Sequence, residues 1–464
     1  MKITKRSEYL IIISLYVITL FLGVYTFFNI AFVDTIRYAL IVILPGLISL
    51  SILFDNIRNL KVLLKNKVPL VLYCLTIIWL FLTFLFGIKS GLDSLKGFIH
   101  YSVLITLLLI LFNCKIEKNV LKNIKKHLFI SFALSMCFGI FQYLTKYNLN
   151  TYNNDKYPGI FGRINSTFYI ATTFDKYIVL MFPLITYELL NDKDNWCYKL
   201  LLILSMFGIT FTFSRSGQLI YLVMCFVFFI VTLFKKQFKN SALIVLIVVC
   251  MTLIPGAKYS IQSALDYAYE TIHIPKVLRF SLLDTFGSEI KKVEAGECVD
   301  DDCVGDIEGS NFFRKYYESV GKAFIKEYPV FGVGIGNATY LYENQNAKDY
   351  LKDDSVISDE YPYMYPHNCY IQLTEETGVV GIVLLLSFVL SLAFTKLKKS
   401  VNKNDFYVVL LILFALALGN ITEGLFYTKQ VIYLFAIGYA IYCNSYVSEE
   451  TKGNKIKKKS TNNN

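Results

Sequence analysis

Histidine and tryptophan are almost missing from this chain, with four and two in 464 residues. So few imidazoles argue against a His-built metal centre, and no Cys/His spacing of the zinc type occurs. Charge is scarce as well. Asp, Glu, Lys and Arg make up 17% of the residues against 55% hydrophobic, and the mean hydropathy is +0.49, which excludes a soluble globule. The apolar run Tyr9–Phe28 follows Lys2, Lys5 and Arg6 but lacks a small-x-small cleavage site, so it reads as a first span and not as a signal peptide. No internal repeat is present. The net charge of +11 is spread between apolar runs, which leaves no basic face for a nucleic acid.

What fills the chain is a series of apolar runs, at 9–28, 36–54, 69–87, 97–113, 128–145, 166–190, 199–213, 217–234, 241–255, 379–395, 406–423 and 429–446. Stretches of roughly 15 to 25 apolar residues match a bilayer core. The expectation is therefore an all-α polytopic membrane protein with about twelve transmembrane helices. The segments Arg58–Lys67, Lys115–Lys126, Lys235–Lys239, Lys396–Lys403 and Lys452–Lys459 are basic and fall on one side of that count. By the positive-inside rule that side, with both termini, is cytoplasmic. The domains expected are spans one to nine over 1–255, a large outer loop with the catalytic segment over 256–378, spans ten to twelve over 379–446, and a basic cytoplasmic tail over 447–464.

The outer loop is far longer than the other connections, a length that marks function or disorder. Within it, Ser310–Tyr328 has helical periodicity, with Phe313, Tyr316, Tyr317, Val320 and Phe324 on one face. The glycines Gly332, Gly334 and Gly336 look like a phosphate fingerprint, but no strand-turn-helix unit surrounds them and they read as a turn. Asp300-Asp301-Asp302 fits a solvated acidic loop better than a calcium site. Of ten cysteines, Cys74, Cys137, Cys225 and Cys250 sit in apolar runs as small hydrophobes. For Cys298 and Cys303 a disulfide and two free thiols remain open.

Four places bear chemistry. Phe213-Ser214-Arg215-Ser216-Gly217 separates two apolar runs with almost no room for a loop, so Arg215 sits at the membrane edge, to snorkel or to present a planar fork to phosphate. Arg163, before the sixth span, shares that face, and Arg314 on the loop helix is a third cation; two converging arginines suit a diphosphate. Asp175 and Lys176 lie inside the sixth span, where ionisable residues are rare and usually face the bundle interior, and Glu423 is a weaker case of the same kind. Finally, Pro366-His367-Asn368 through Glu375-Glu376-Thr377-Gly378 puts a proton acceptor and two carboxylates at the mouth of an apolar run. The competing view is an interfacial helix start, with Asn368 capping and both glutamates solvated.

Arg163, Phe213-Ser214-Arg215-Ser216-Gly217, Arg314 upstream of Tyr328-Pro329-Val330-Phe331-Gly332-Val333-Gly334-Ile335-Gly336-Asn337, and Pro366-His367-Asn368 through Gly381 occur in the order seen in the O-antigen polymerase and ligase family of bacterial membrane glycosyltransferases. The chain resembles that family over roughly residues 155–395. The resemblance implies a helical fold of the GT-C type in the bacterial cell membrane, and a reaction at the outer leaflet between a polyprenyl-diphosphate-linked glycan donor and an acceptor. It implies that Arg215 binds the diphosphate and that His367 is catalytic or acceptor-binding. A flippase and a chain-length regulator are candidate partners. One departure is visible: the family's asparagine-rich stretch reads here Thr167-Phe168-Tyr169-Ile170-Ala171-Thr172-Thr173-Phe174-Asp175.

The reaction needs a group to take the acceptor's proton and cations for the leaving diphosphate. The residues assigned are His367, Glu375 and Glu376 as catalytic, and Arg163, Arg215 and Arg314 as substrate-binding, with no metal and no cofactor. A helix already running at His367 would put Glu376, nine residues on, about 180° around, on the opposite face. Lys-, Asn-, Tyr- and Ile-rich usage, as an AT-rich genome produces, tilts the choice toward repeat-unit polymerisation. The alternatives are a ligase that moves the glycan to a lipid or protein, and a secondary transporter, which predicts paired broken helices and internal symmetry.

Overall fold

A computed structural model of the chain describes residues 1–21, 31–87, 91–145, 164–168, 171–254, 317–337, 366, 368–398, 403–422 and 428–444. Among these residues there is no strand beyond one isolated bridge between Lys2 and Lys115. Each of the twelve apolar runs carries a helix. They are α1 (Lys5–Tyr16), continued by a π-helical turn Val17–Phe21, α2 (Ala31–Asp55), α3 (Lys67–Phe86), α4 (Leu92–Asn113), α5 (Lys118–Thr145) and α6 (Ala171–Asn191). After them come α7 (Trp196–Phe211), α8 (Arg215–Phe234) and α9 (Phe238–Leu253). The long loop contributes α10 over 317–327, and α11 (Cys369–Leu397), α12 (Lys403–Thr422) and α13 (Lys429–Asn444) follow. Five of them, α3, α4, α5, α8 and α11, are long and apolar enough to cross a membrane.

The apolar surface faces outward, the reverse of a soluble bundle. On α3 the exposed side is Val71, Leu75, Ile78, Phe81 and Leu85, while the buried side includes Thr76 and Thr83. Such a stripe finds its solvent in lipid tails. α6 and α13 are buried all round and therefore central: nearly every residue from Ala171 to Leu190 and from Val431 to Tyr442 is buried, the ionisable Asp175 and Lys176 among them. α13 is held to α4 by a polar clasp, the Tyr433 hydroxyl lying 3.0 Å from both Nδ1 and the backbone oxygen of His100.

The two ends of the bundle differ. At one end Lys115 N donates to Met1 O and Lys2 N to Asn56 Oδ1 at 2.7 Å. Lys125 pairs with Glu188 at 2.8 Å and lies 4.3 Å over the Tyr442 ring. There too, Asn404 accepts from Lys235 and donates to Asn191. The beginning of α1 and the end of α13 thus share this lysine-bearing end. The opposite end collects Ser94, Gln142, Asn165, Phe211, Ser214, Asn337 and Asn368.

Several helices start earlier than their apolar runs, α5 by ten residues at Lys118, and two differences bear on the site. The sixth helix starts at Ala171 and not at 166, because 164–168 form a buried turn with Ser166 at φ +52. The tenth starts at Cys369, ten residues before the run that begins at Val379, and bends at Gly378 (φ 69, ψ 175). A φ in the left-handed region needs glycine, and a Cβ there would overlap Val330 O.

Candidate functional site

The motif around Arg215 is a strained turn followed at once by a helix. Phe213 sits at φ 48, a conformation disfavoured for a bulky residue. Its neighbours hold it there: Ser214 N donates to Thr212 Oγ1, and Gln218 Nε2 reaches back to Thr210 O at 3.0 Å. The turn is Thr212–Ser214, and Arg215 is the first residue of α8 behind its cap Ser214. Arg215 is half-buried and Gly217 is fully buried.

Behind that helix start lies the ion pair flagged in the sixth span. Asp175 and Lys176 are 0% and 1% exposed, and Lys176 Nζ lies 3.3 Å from Asp175 Oδ1 and donates to Ser216 Oγ at 3.0 Å. A Cβ on Gly217 would stand 2.5 Å from Asp175 Oδ2, so the glycine admits the carboxylate to the first turn of α8. A buried lysine persists only when paired and hydrogen-bonded, which this one is.

A second polar seam approaches the same turn. Ile164, next after Arg163 in the chain, donates its N–H to Phe211 O at 3.1 Å. The stretch behind it is tied to α5 by Ser166 N to Gln142 Oε1 at 2.7 Å and by Ser135 to the hydroxyls of Ser166 and Thr167. It is tied to α1 through Thr167 Oγ1 and Thr19 O. Thr19 lies in the π-helical turn, where the widened ladder releases carbonyls. Gln430 of α13 takes a second one, Ile18 O, at 2.6 Å. Gln142 and Gln430 went unremarked in the sequence; an amide among apolar residues is the signal that could have found them.

The carboxylates sit in the third piece. Asn368 caps α11, its Oδ1 accepting from the N–H groups of Tyr370 at 3.1 Å and Ile371 at 3.4 Å. The helix therefore begins after His367, and the restriction on a helical His367 and Glu376 falls away. Both glutamates are buried, at 0% and 2% exposure, and not solvated. Glu375 faces α10, where Oε2 would lie 3.2 Å from a Cβ on Gly321. Backbone bonds fasten the long loop here: Val333 N donates to Glu375 O at 2.8 Å, Gly334 N to Glu376 O at 3.1 Å, and Val379 N to Pro329 O at 3.0 Å. Gly332, Gly334 and Gly336 all have positive φ and make this tight turn, with no phosphate cradle among them. Trp79 of α3 closes it from the side, stacking on Phe331 at 4.9 Å and donating to Thr377 O at 2.9 Å. Asn337 accepts from Ser94 at 2.6 Å.

The Tyr370 hydroxyl donates to Ala417 O near the end of α12, whose other end meets the end of α8 through Asn404 and Lys235. The starts of α8 and α11 therefore lie at one end of the bundle, and Arg215, Asp175, Lys176, Glu375 and Glu376 share it. Arg163, Arg314, His367 and Glu423 lie outside the described residues, as do Asp300–Asp302, Cys298 and Cys303. Among the described residues no group of three His, Cys, Asp or Glu is placed to hold a metal ion.

Fold and site together define a multi-pass helical membrane protein with a polar, cation-bearing site at one end. Residues 200–386 match the family model described as O-antigen ligase. The match takes in Arg215, Arg314, His367, Glu375 and Glu376, supports the O-antigen polymerase and ligase family, and indicates glycosyltransferase-like activity of the ligase or polymerase kind in polysaccharide synthesis. No curated protein matches the chain.

Proposed function

We propose that the protein polymerises oligosaccharide repeat units carried on a polyprenyl diphosphate at the outer leaflet of a bacterial cell membrane. The observation that carries this reading is the hydrogen bond from Ile164 N to Phe211 O. It ties the chain just after Arg163 to the turn just before Arg215, at the end of the bundle that also holds Glu375 and Glu376. In the reaction, an acceptor sugar hydroxyl attacks the anomeric carbon of the donor. The new glycosidic C–O bond forms as the bond from that carbon to the diphosphate oxygen breaks. The hydroxyl proton goes to His367, with Glu375 or Glu376 as the alternative base. The electron pair leaves on the lipid diphosphate, whose charge Arg215, Arg163 and Arg314 hold through forked hydrogen bonds.

The same reading takes all twelve helices as spans of a GT-C-like fold. It makes 256–378 an outer unit, puts both termini in the cytoplasm, and admits a flippase and a chain-length regulator as partners. A ligase is the second reading, favoured by the description of the matched family. Purified protein given lipid-diphosphate-linked repeat units decides between them. A polymerase lengthens glycan that stays on its carrier, whereas a ligase leaves the length unchanged and moves the glycan to an added lipid or protein acceptor. No product of either kind would overturn both.

A further inference from the structure

The buried Asp175–Lys176 pair has no part in the mechanism above, yet its ammonium reaches into the Arg215 motif. A hydroxyl that accepts a hydrogen bond from an ammonium has that lone pair engaged, and its own proton becomes a stronger donor. Lys176 donates to Ser216 Oγ at 3.0 Å from a position 1% exposed, while Ser216, like Arg215 beside it, is half-buried and reaches the surface. Asp175 balances the lysine charge from within the bundle, so the pair adds polarisation at Ser216 without a net buried charge. Gly217 is required by the same arrangement, since a side chain there would displace the carboxylate.

We infer that Ser216 is a diphosphate-binding residue and that Lys176, with Asp175, is its positioning residue, orienting the Ser216 O–H toward the phosphate oxygen beside Arg215. This rests on the reading of Arg215 as the diphosphate site and names a further contact within it. The pair makes the site prefer diphosphate over monophosphate, because two adjacent donors span two phosphoryl groups.

The test titrates full-length protein in detergent with farnesyl diphosphate, and with farnesyl monophosphate as comparison. Ser216→Ala should weaken diphosphate binding roughly tenfold, the effect of one charge-assisted hydrogen bond, and narrow the preference over monophosphate, while Ser216→Thr, which keeps the hydroxyl, binds within about twofold of wild type. Asp175→Asn/Lys176→Met should cause a loss like that of Ser216→Ala. The triple variant should be no worse than either, because both act through one hydroxyl. Losses that multiply, or a Ser216→Ala protein with wild-type binding, overturn the inference. Arg215→Ala is the control: loss there with Ser216→Ala unaffected rejects only this inference, whereas no loss there rejects the diphosphate reading itself. Should the double variant not fold, Ser216→Ala against Ser216→Thr decides alone.

Discussion

Arg215 and His367 should fail differently when replaced. In the proposed mechanism Arg215 meets charge that is present in the bound donor and grows as the diphosphate leaves, so Arg215→Ala should impair donor binding and turnover together. Arg215→Lys should recover little, because a point charge does not reproduce the guanidinium fork. His367→Ala should leave donor binding intact and lower turnover by about 10² to 10⁴. Normal turnover in that variant would move the base to Glu375 or Glu376. The tight turn before Arg215 was legible because its motif is local and compressed between apolar runs. Lys176 was visible as a charge in a span, but its partner Ser216 stands forty residues away, and no local pattern announces a contact that only packing makes. The burial of Glu375 and Glu376 was hidden for the same reason: the helix that covers Glu375 belongs to the long loop, some fifty residues earlier in the chain.

Helices were the easiest elements to foresee, since a bilayer leaves the backbone little other choice and apolar length sets the register. Their polar extensions lie outside the apolar count. Cys369–Thr377 falls in the loop by that count, with a helix start capped by Asn368 as the competing view; it is helix, because Asn368 caps it and Trp79, α10 and the glycine turn bury it. Gly378→Ala should damage this element most. Alanine at φ 69 and ψ 175 costs about 1–3 kcal/mol and meets Val330 O as well, so limited proteolysis should cut near 329–337 faster than in wild type. An unchanged digestion pattern would refute the clamp. Trp79→Phe keeps the stack on Phe331 but removes the indole donor to Thr377 O, and should cost about 0.5–1.5 kcal/mol in detergent unfolding.

For the whole molecule the decisive quantity is sidedness. Cys197 is exposed near the lysine-bearing end, while Cys298 and Cys303 belong to the long loop. A membrane-impermeant maleimide on intact cells should therefore label variants retaining only Cys298 or Cys303, and should label a Cys197-only variant only after inversion of the vesicles. The reverse pattern would place His367 on the wrong side for a carrier presented outside. Turnover should also survive EDTA, since arginines carry the diphosphate charge in this mechanism. Loss restored by added calcium or magnesium would turn attention to Asp300–Asp302.

The three bonds that join Pro329, Val333 and Gly334 to Val379, Glu375 and Glu376 all run between peptide groups. Such bonds do not read side chains. The register in which the turn meets α11 is therefore set by its backbone, while the stack of Phe331 on Trp79, the buried Val333 and Ile335, and the bond from Ser94 to Asn337 hold its side chains. Chimaeras that exchange residues 255–316 and keep this turn should therefore retain their stability in detergent unfolding, and under the proposed function they are the place to look for altered glycan choice.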